Sequence, residues 1–108
     1  MVDKELVAAT SKPLILSILN EGDSYGYEII QRVCSLTDNE LKWTDSMLYP
    51  VLHRLEKKGW VSSYWQASPT GRQRKYYSLS KAGLAELEEK KRQWRVADDA
   101  LTSLWGPA

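Results

Sequence analysis

Apolar positions keep a helical period as far as Gly59, alternate around a turn between Trp60 and Leu79, and return to a helical period after Ser80. Leu14, Ile15, Ile18 and Leu19 form the first helical stripe, which stops at Asn20-Glu21-Gly22-Asp23. Pro13 suits this helix only in its first turn, leaving Glu5 to Ala9 as a separate short piece or a kinked extension. Ser24 can cap a second helix, with Tyr27 at the third helical position where a capping box would want Glu. Ile29, Ile30 and Val33 give that helix its apolar face, which fades near Leu36. Asp38 to Trp43 connects, and Thr44 caps a third helix striped by Leu48, Val51, Leu52 and Leu55. Gly59 closes it in the manner of a left-handed helix end.

The alternation then places Trp60, Ser62, Tyr64 and Gln66 on one side of a strand and Val61, Ser63 and Trp65 on the other. Ala67 to Gln73 is the loop and Arg74 to Leu79 the returning strand. Ser80 caps a last helix running to Trp105, whose Leu84, Leu87, Trp94, Leu101 and Trp105 are spaced three, seven, seven and four apart. That is a broken heptad seam, with Lys91 and Asp98 where a full seam would be apolar, and it calls for a second helix. The predicted fold is mainly α with a small β-hairpin: a winged helix-turn-helix of order ααα-ββ-α with a long C-terminal dimerisation helix. Residues 1–80 make the winged-helix unit, with an N-terminal segment that contacts a partner chain. Residues 81–108 make the dimerisation helix, and the two form one compact unit.

At 108 residues and 43% hydrophobic the chain supports one modest core. Five Trp, six Tyr and no Phe favour surfaces where a large ring meets a polar partner, as at interfaces and ligand pockets. A single Cys34 excludes an internal disulfide framework and fits a reducing cytoplasm. No apolar run is long enough to span a bilayer, and the acidic start Met1-Val2-Asp3-Lys4-Glu5 is unlike a signal peptide.

Charge changes the picture more. Lys57 to Ala85 carries Lys57, Lys58, Arg72, Arg74, Lys75 and Lys81 and no acid, while the chain as a whole is only +1. The remainder therefore holds nine Lys and Arg against fourteen Asp and Glu. A near-neutral chain that confines its cations to one segment builds a local positive field where a polyanion can dock. With its apolar stripe turned inward, the third helix shows Ser46, Tyr49, Pro50, His53 and Lys57 outward. Ser, His and Lys reach base edges or phosphates in a major groove, and Tyr hydroxyls take phosphates. Tyr49-Pro50, an exposed ring beside a mid-helix proline, is costly without a task. Arg72, Arg74 and Lys75 at the hairpin tip can enter a minor groove, grip the backbone, or simply guard an edge strand. Ser24 and Tyr25 open the second helix, where free N–H groups favour a phosphate beside an ordinary cap.

Three stretches carry a resemblance: Ser24-Tyr25-Gly26-Tyr27-Glu28-Ile29, then Ser46-Met47-Leu48-Tyr49-Pro50-Val51-Leu52-His53-Arg54-Leu55-Glu56-Lys57-Lys58-Gly59, then Gly71-Arg72-Gln73-Arg74-Lys75-Tyr76-Tyr77-Ser78-Leu79-Ser80-Lys81-Ala82-Gly83. In order and spacing, from about Leu14 to Gly83, they resemble the PadR family of bacterial transcriptional regulators. The resemblance implies a winged-helix homodimer, usually a repressor, that binds double-stranded DNA at an inverted repeat. The short single-helix tail resembles the compact subfamily that senses phenolic or multidrug-type compounds. By that resemblance Trp94 and Asp98, with Leu6 and Ala9 on the N-terminal segment, frame a small aromatic ligand at the dimer centre. Lys12 and Pro13 depart from the lining expected there: Lys12 either fills the pore or pairs with Asp98, and Pro13 bends the wall.

Other chemistry is missing. One His and one Cys make no metal cluster, no glycine loop follows a strand to cradle phosphates, and no cofactor is implied. Glu88-Glu89 and Asp98-Asp99 are adjacent on a helix and so point apart, which excludes a facing carboxylate dyad and an enzyme built on one. Two rivals stay open: a protein-interaction winged helix without DNA binding, and a DNA-binding regulator with no small-molecule effector.

Overall fold

Asp3 starts the first helix by accepting the Leu6 N–H at 2.9 Å, so α1 (Lys4–Glu21) begins well before Pro13. In the computed structural model, which describes residues 2–106, α1 is one continuous helix with Pro13 in its interior. Pro13 is therefore not in the first turn, and Glu5–Ala9 extends the same helix instead of forming a separate piece. Proline inside a helix costs on the order of 3 kcal/mol. Burial of Ser11, Ile15, Leu16, Ile18 and Leu19 on the same helix offsets that cost. The hydroxyls of Thr10 and Ser11 also donate back to the carbonyls of Leu6 (2.7 Å) and Ala8 (2.9 Å) in the turns just before it.

A second correction follows at Ser24. Ser24 and Tyr25 form a two-residue strand β1 that pairs antiparallel with Tyr77 and Tyr76, so Ser24 is not the helix cap. That position falls to Tyr25, which makes no side-chain cap, and α2 spans Gly26–Leu36. The shift by one residue puts Glu28 at the third helical position, where its Oε1 accepts the Ser24 hydroxyl at 2.6 Å. Helix α2 ends through Asp38 and Asn39, both in the left-handed region (φ 49° and 67°).

Thr44 caps α3 (Asp45–Lys57) as expected, its side chain accepting from the Met47 N–H, and Gly59 follows at φ 78°. Strands β2 (Val61–Ala67) and β3 (Gln73–Leu79) pair antiparallel, giving a three-stranded sheet of order β1-β3-β2. Ser80 caps α4 (Lys81–Trp105) by accepting the Gly83 N–H. The molecule is thus mainly helical with a small antiparallel sheet: a winged helix-turn-helix extended by one long helix.

One core joins these elements: Ile15, Leu16, Ile29, Val33, Leu48, Leu52, Leu55, Val61, Tyr77 and Leu87. Leu87 is 1% exposed, so it belongs to this core and has no surface left for a partner, contrary to its expected place in the dimer seam. Every residue of α4 from Lys91 to Trp105 is exposed, including Trp94, Val96, Leu101, Leu104 (82%) and Trp105 (77%). Leu84 is exposed as well. Residues 107–108, the end of the expected C-terminal unit, lie outside the described residues, as does Met1.

Candidate nucleic-acid interface

Because Leu48, Val51, Leu52 and Leu55 are turned inward, Ser46, Tyr49, Pro50, His53 and Lys57 all stand on the exposed side of α3. Pro50 has no N–H, so the Ser46 carbonyl lacks its usual helical donor and stays available on that same face. The Tyr49 ring lies over the start of α2, where a methyl on Gly26 would overlap its hydroxyl oxygen. Burial, with the Asp45 charge second, raises the Tyr49 pKa, which keeps the phenol a neutral O–H donor.

The hairpin sets the second wall. Ala67 pairs with Gln73, so the loop is Ser68-Pro69-Thr70-Gly71-Arg72, closed by the Ser68 N–H donating to the Arg72 carbonyl at 2.7 Å. Of the three expected tip cations only Arg72 is in the loop. Arg74 and Lys75 belong to β3, opposite Gln66 and Trp65; β3 begins at Gln73, one residue earlier than the sequence implies, and β2 runs one residue further, to Ala67. Between this wing and the helices runs an open groove of about 730 Å³, lined by Tyr25, Tyr49, Trp65, Arg72, Arg74 and Lys75 among others. Ser46, His53 and Lys57 stand outside that lining, further along the exposed face of α3. Ser24 does not reach it either: it is 3% exposed with its hydroxyl committed to Glu28, which removes it as a phosphate donor.

Trp65, 65% exposed on the groove wall, is a surface residue that sequence reasoning missed. Its signal was the hairpin register, which sets its ring across from Lys75. A second group was not foreseen at all. The Arg74 guanidinium lies 4.3 Å from the Tyr25 ring centroid, Tyr25 meets Tyr76 edge-on at 5.3 Å, and Tyr76 stacks on Tyr64 at 5.7 Å. The Tyr64 hydroxyl donates to Asp23 Oδ2 at 2.6 Å, and Ser78 donates to the other oxygen at 2.9 Å. That hydrogen bond to Asp23 is the main cause of a raised Tyr64 pKa.

The residues expected to bind an effector do not gather within one chain. Trp94 opens on an apolar hollow of about 350 Å³ against Thr10, Pro13, Leu14, Ser17, Thr37 and Leu41. Leu6, Ala9 and Asp98 are exposed elsewhere on α1 and α4. Within the chain the Lys12 ammonium is held by Glu86 Oε2 at 2.5 Å and lies 4.5 Å from the Trp60 ring centroid. Among the described residues no group of three or more His, Cys, Asp or Glu could hold a metal, and no helix is long and apolar enough to cross a membrane.

A cationic wing beside an exposed helix face is the geometry of a DNA reader, and relatives carry the same plan. Residues 15–89, which include α3 and the whole wing, match the family model of the PadR-like transcriptional regulators. The chain is 35% identical over 94 residues to an uncharacterized protein of Lysinibacillus sphaericus, covering 87% of this chain and 86% of that one. A transcriptional regulator from Clostridium thermocellum superposes with a TM-score of 0.85 at 30% identity, over 95% of this chain and 97% of the other. A PadR family transcription regulator from Clostridium difficile R20291 superposes with a TM-score of 0.78 at 35% identity, over 90% and 99%. The chain belongs to the PadR-like family of transcriptional regulators, which act by binding DNA and are not enzymes.

Proposed function

We propose that the protein works in the cytoplasm as a homodimeric repressor whose two reading heads bind an inverted-repeat operator and which a flat aromatic or multidrug-type ligand releases. Helix α3 reads the major groove through Ser46, Tyr49, Pro50, His53 and Lys57. Arg72, Arg74 and Lys75 of the wing, with Tyr25, hold the backbone. The observation that carries this reading is the shared groove: ring-bearing and cationic side chains from α2, α3 and the wing line one open channel. Arg and Lys beside aromatic rings suit phosphates flanked by flat sugars and bases.

Dimerisation is supported by the apolar side chains that α4 leaves uncovered: Leu84, Trp94, Leu101 and Trp105. The effector site forms between the chains, with Trp94 from each stacking on the ligand, Asp98 favouring cationic compounds, and Leu6 and Ala9 closing the sides. The ligand changes DNA affinity only by preferring one spacing of the two reading heads.

Fluorescence anisotropy of labelled duplexes across a salt series tests the DNA contacts. The expected slope of log affinity against log salt is steep, near 0.9 per neutralised phosphate. Changing Arg72, Arg74 and Lys75 together to Ala should flatten it and weaken all sequences alike. An unchanged slope removes the wing from the mechanism. For the effector, quenching by cationic aromatic dyes should be lost in Trp94→Ala; equal dye affinity in that variant eliminates the central site.

A further inference from the structure

From the contacts behind the wing we infer that Asp23, Tyr64 and Tyr76 are positioning residues that hold Arg74, through Tyr25, in the pose that grips a DNA phosphate. The inference rests on the reading that the groove between α3 and the wing meets DNA.

The chain of contacts is continuous. Asp23 sits in the turn between α1 and β1, and its two carboxylate oxygens accept the hydroxyls of Tyr64 on β2 and Ser78 on β3. Tyr64 and Tyr76 face each other across the strands in register and stack with planes 13° apart. Tyr76 in turn supports Tyr25 from β1, the other neighbour of β3, with planes 67° apart. Arg74 covers the free face of Tyr25. The links tie the α1–β1 turn to β2 and β3, β2 to β3, and β3 to β1 twice, so the ladder fixes the wing against the helix-turn-helix and ends on one guanidinium.

Arg74 is the residue whose pose the ladder decides. Among the described residues it has no carboxylate partner, so the Tyr25 ring is what holds it. A guanidinium held over a ring by its face keeps the N–H groups at its edge, in its own plane, free to fork onto a phosphate. Holding it before binding spares the entropy of freezing a long side chain on contact. Arg72, in the exposed loop, has no such support. Tyr76 and Asp23 stand outside the lining of the groove that Arg74 and Tyr25 share.

A double-mutant cycle tests this. In the full-length protein, Tyr76→Leu should weaken duplex binding about tenfold in the wild-type background but less than about twofold when Arg74 is already Ala. It should also lower the salt slope, which a purely structural loss would leave alone. Tyr76→Phe keeps the ring and should restore both. Tyr64→Phe removes only the bond to Asp23 and should weaken binding in the same direction, less strongly, giving a milder variant where Tyr76→Leu folds poorly. In DNA-free protein the Arg74 side-chain proton signals should be shifted upfield by the Tyr25 ring, and Tyr76→Leu should reduce that shift. Equal losses with and without Arg74, or no ring shift on Arg74, overturn the ladder while DNA binding stands. Wild-type protein with no salt-dependent duplex binding overturns the DNA reading and the ladder's role with it.

Discussion

Gly83 sits in the first turn of α4 with its Cα pressed against the Trp60 backbone, and a methyl group there would overlap the Trp60 carbonyl oxygen. The neighbouring Ser80 binds the same corner twice, donating its N–H to the Trp60 carbonyl at 3.1 Å and its hydroxyl to the Gly59 carbonyl at 2.6 Å. Backbone on both sides leaves little to give way. Gly83→Ala should therefore cost about 1–3 kcal/mol or more, read as a lower urea midpoint at fixed protein concentration. A midpoint equal to wild type would mean the corner relaxes freely. On the outer face of α3, His53 and Ser46 reach no side-chain partner among the described residues beyond a Ser46 hydroxyl contact with Thr44 at 3.1 Å. His53→Ala should change which bases are preferred, by about 1–3 kcal/mol at one position, and leave affinity for random duplex nearly constant. Competition assays with single-base operator variants check this.

Among the elements, α3 and the start of α4 were legible in the sequence because their signals are local, whereas the starts of α1 and α2 were not. Thr44, Gly59 and Ser80 marked ends that the backbone adopts, and the stripe of α3 is buried as its spacing implies. Strand β1 was not legible, since its two residues are defined by pairing with Tyr76 and Tyr77 far along the chain. Ser24 was consequently read as a cap when the sheet had already claimed it. The ladder from Asp23 to Arg74 was hidden for the same reason, while the outward face of α3 followed from periodicity alone. The seam of α4 was half legible: Leu87 continues the heptad but is consumed by the core, because α4 packs on α1 through the Lys12–Glu86 pair before it projects away. Leu101 is in the projecting part. Leu101→Asp should shift the protein toward monomer, as each dimer would bury two unpaired carboxylates, and light scattering should report a mass near 12.4 kDa. A variant that keeps twice that mass puts the interface elsewhere.

At the scale of the whole molecule, the chain is elongated, 52 × 30 × 21 Å, with α4 alone about 37 Å long at 1.5 Å per residue. An extended arm with uncovered Trp and Leu side chains suits the proposed dimer, since one head on one half-site would give limited affinity and no symmetry. In that proposed dimer, two-fold pairing through α4 would present two α3 helices and two wings to one side of a duplex. The operator should then be an inverted repeat with half-sites about one helical turn, or a multiple of it, apart. Hydroxyl-radical footprinting on a duplex selected by this protein from a random pool tests that most directly. The expected result is a protection pattern with two-fold symmetry, two equal half-sites on one face, reduced at both halves alike by Arg72→Ala. Protection of a single asymmetric half-site, or selection of no sequence at all, would contradict it.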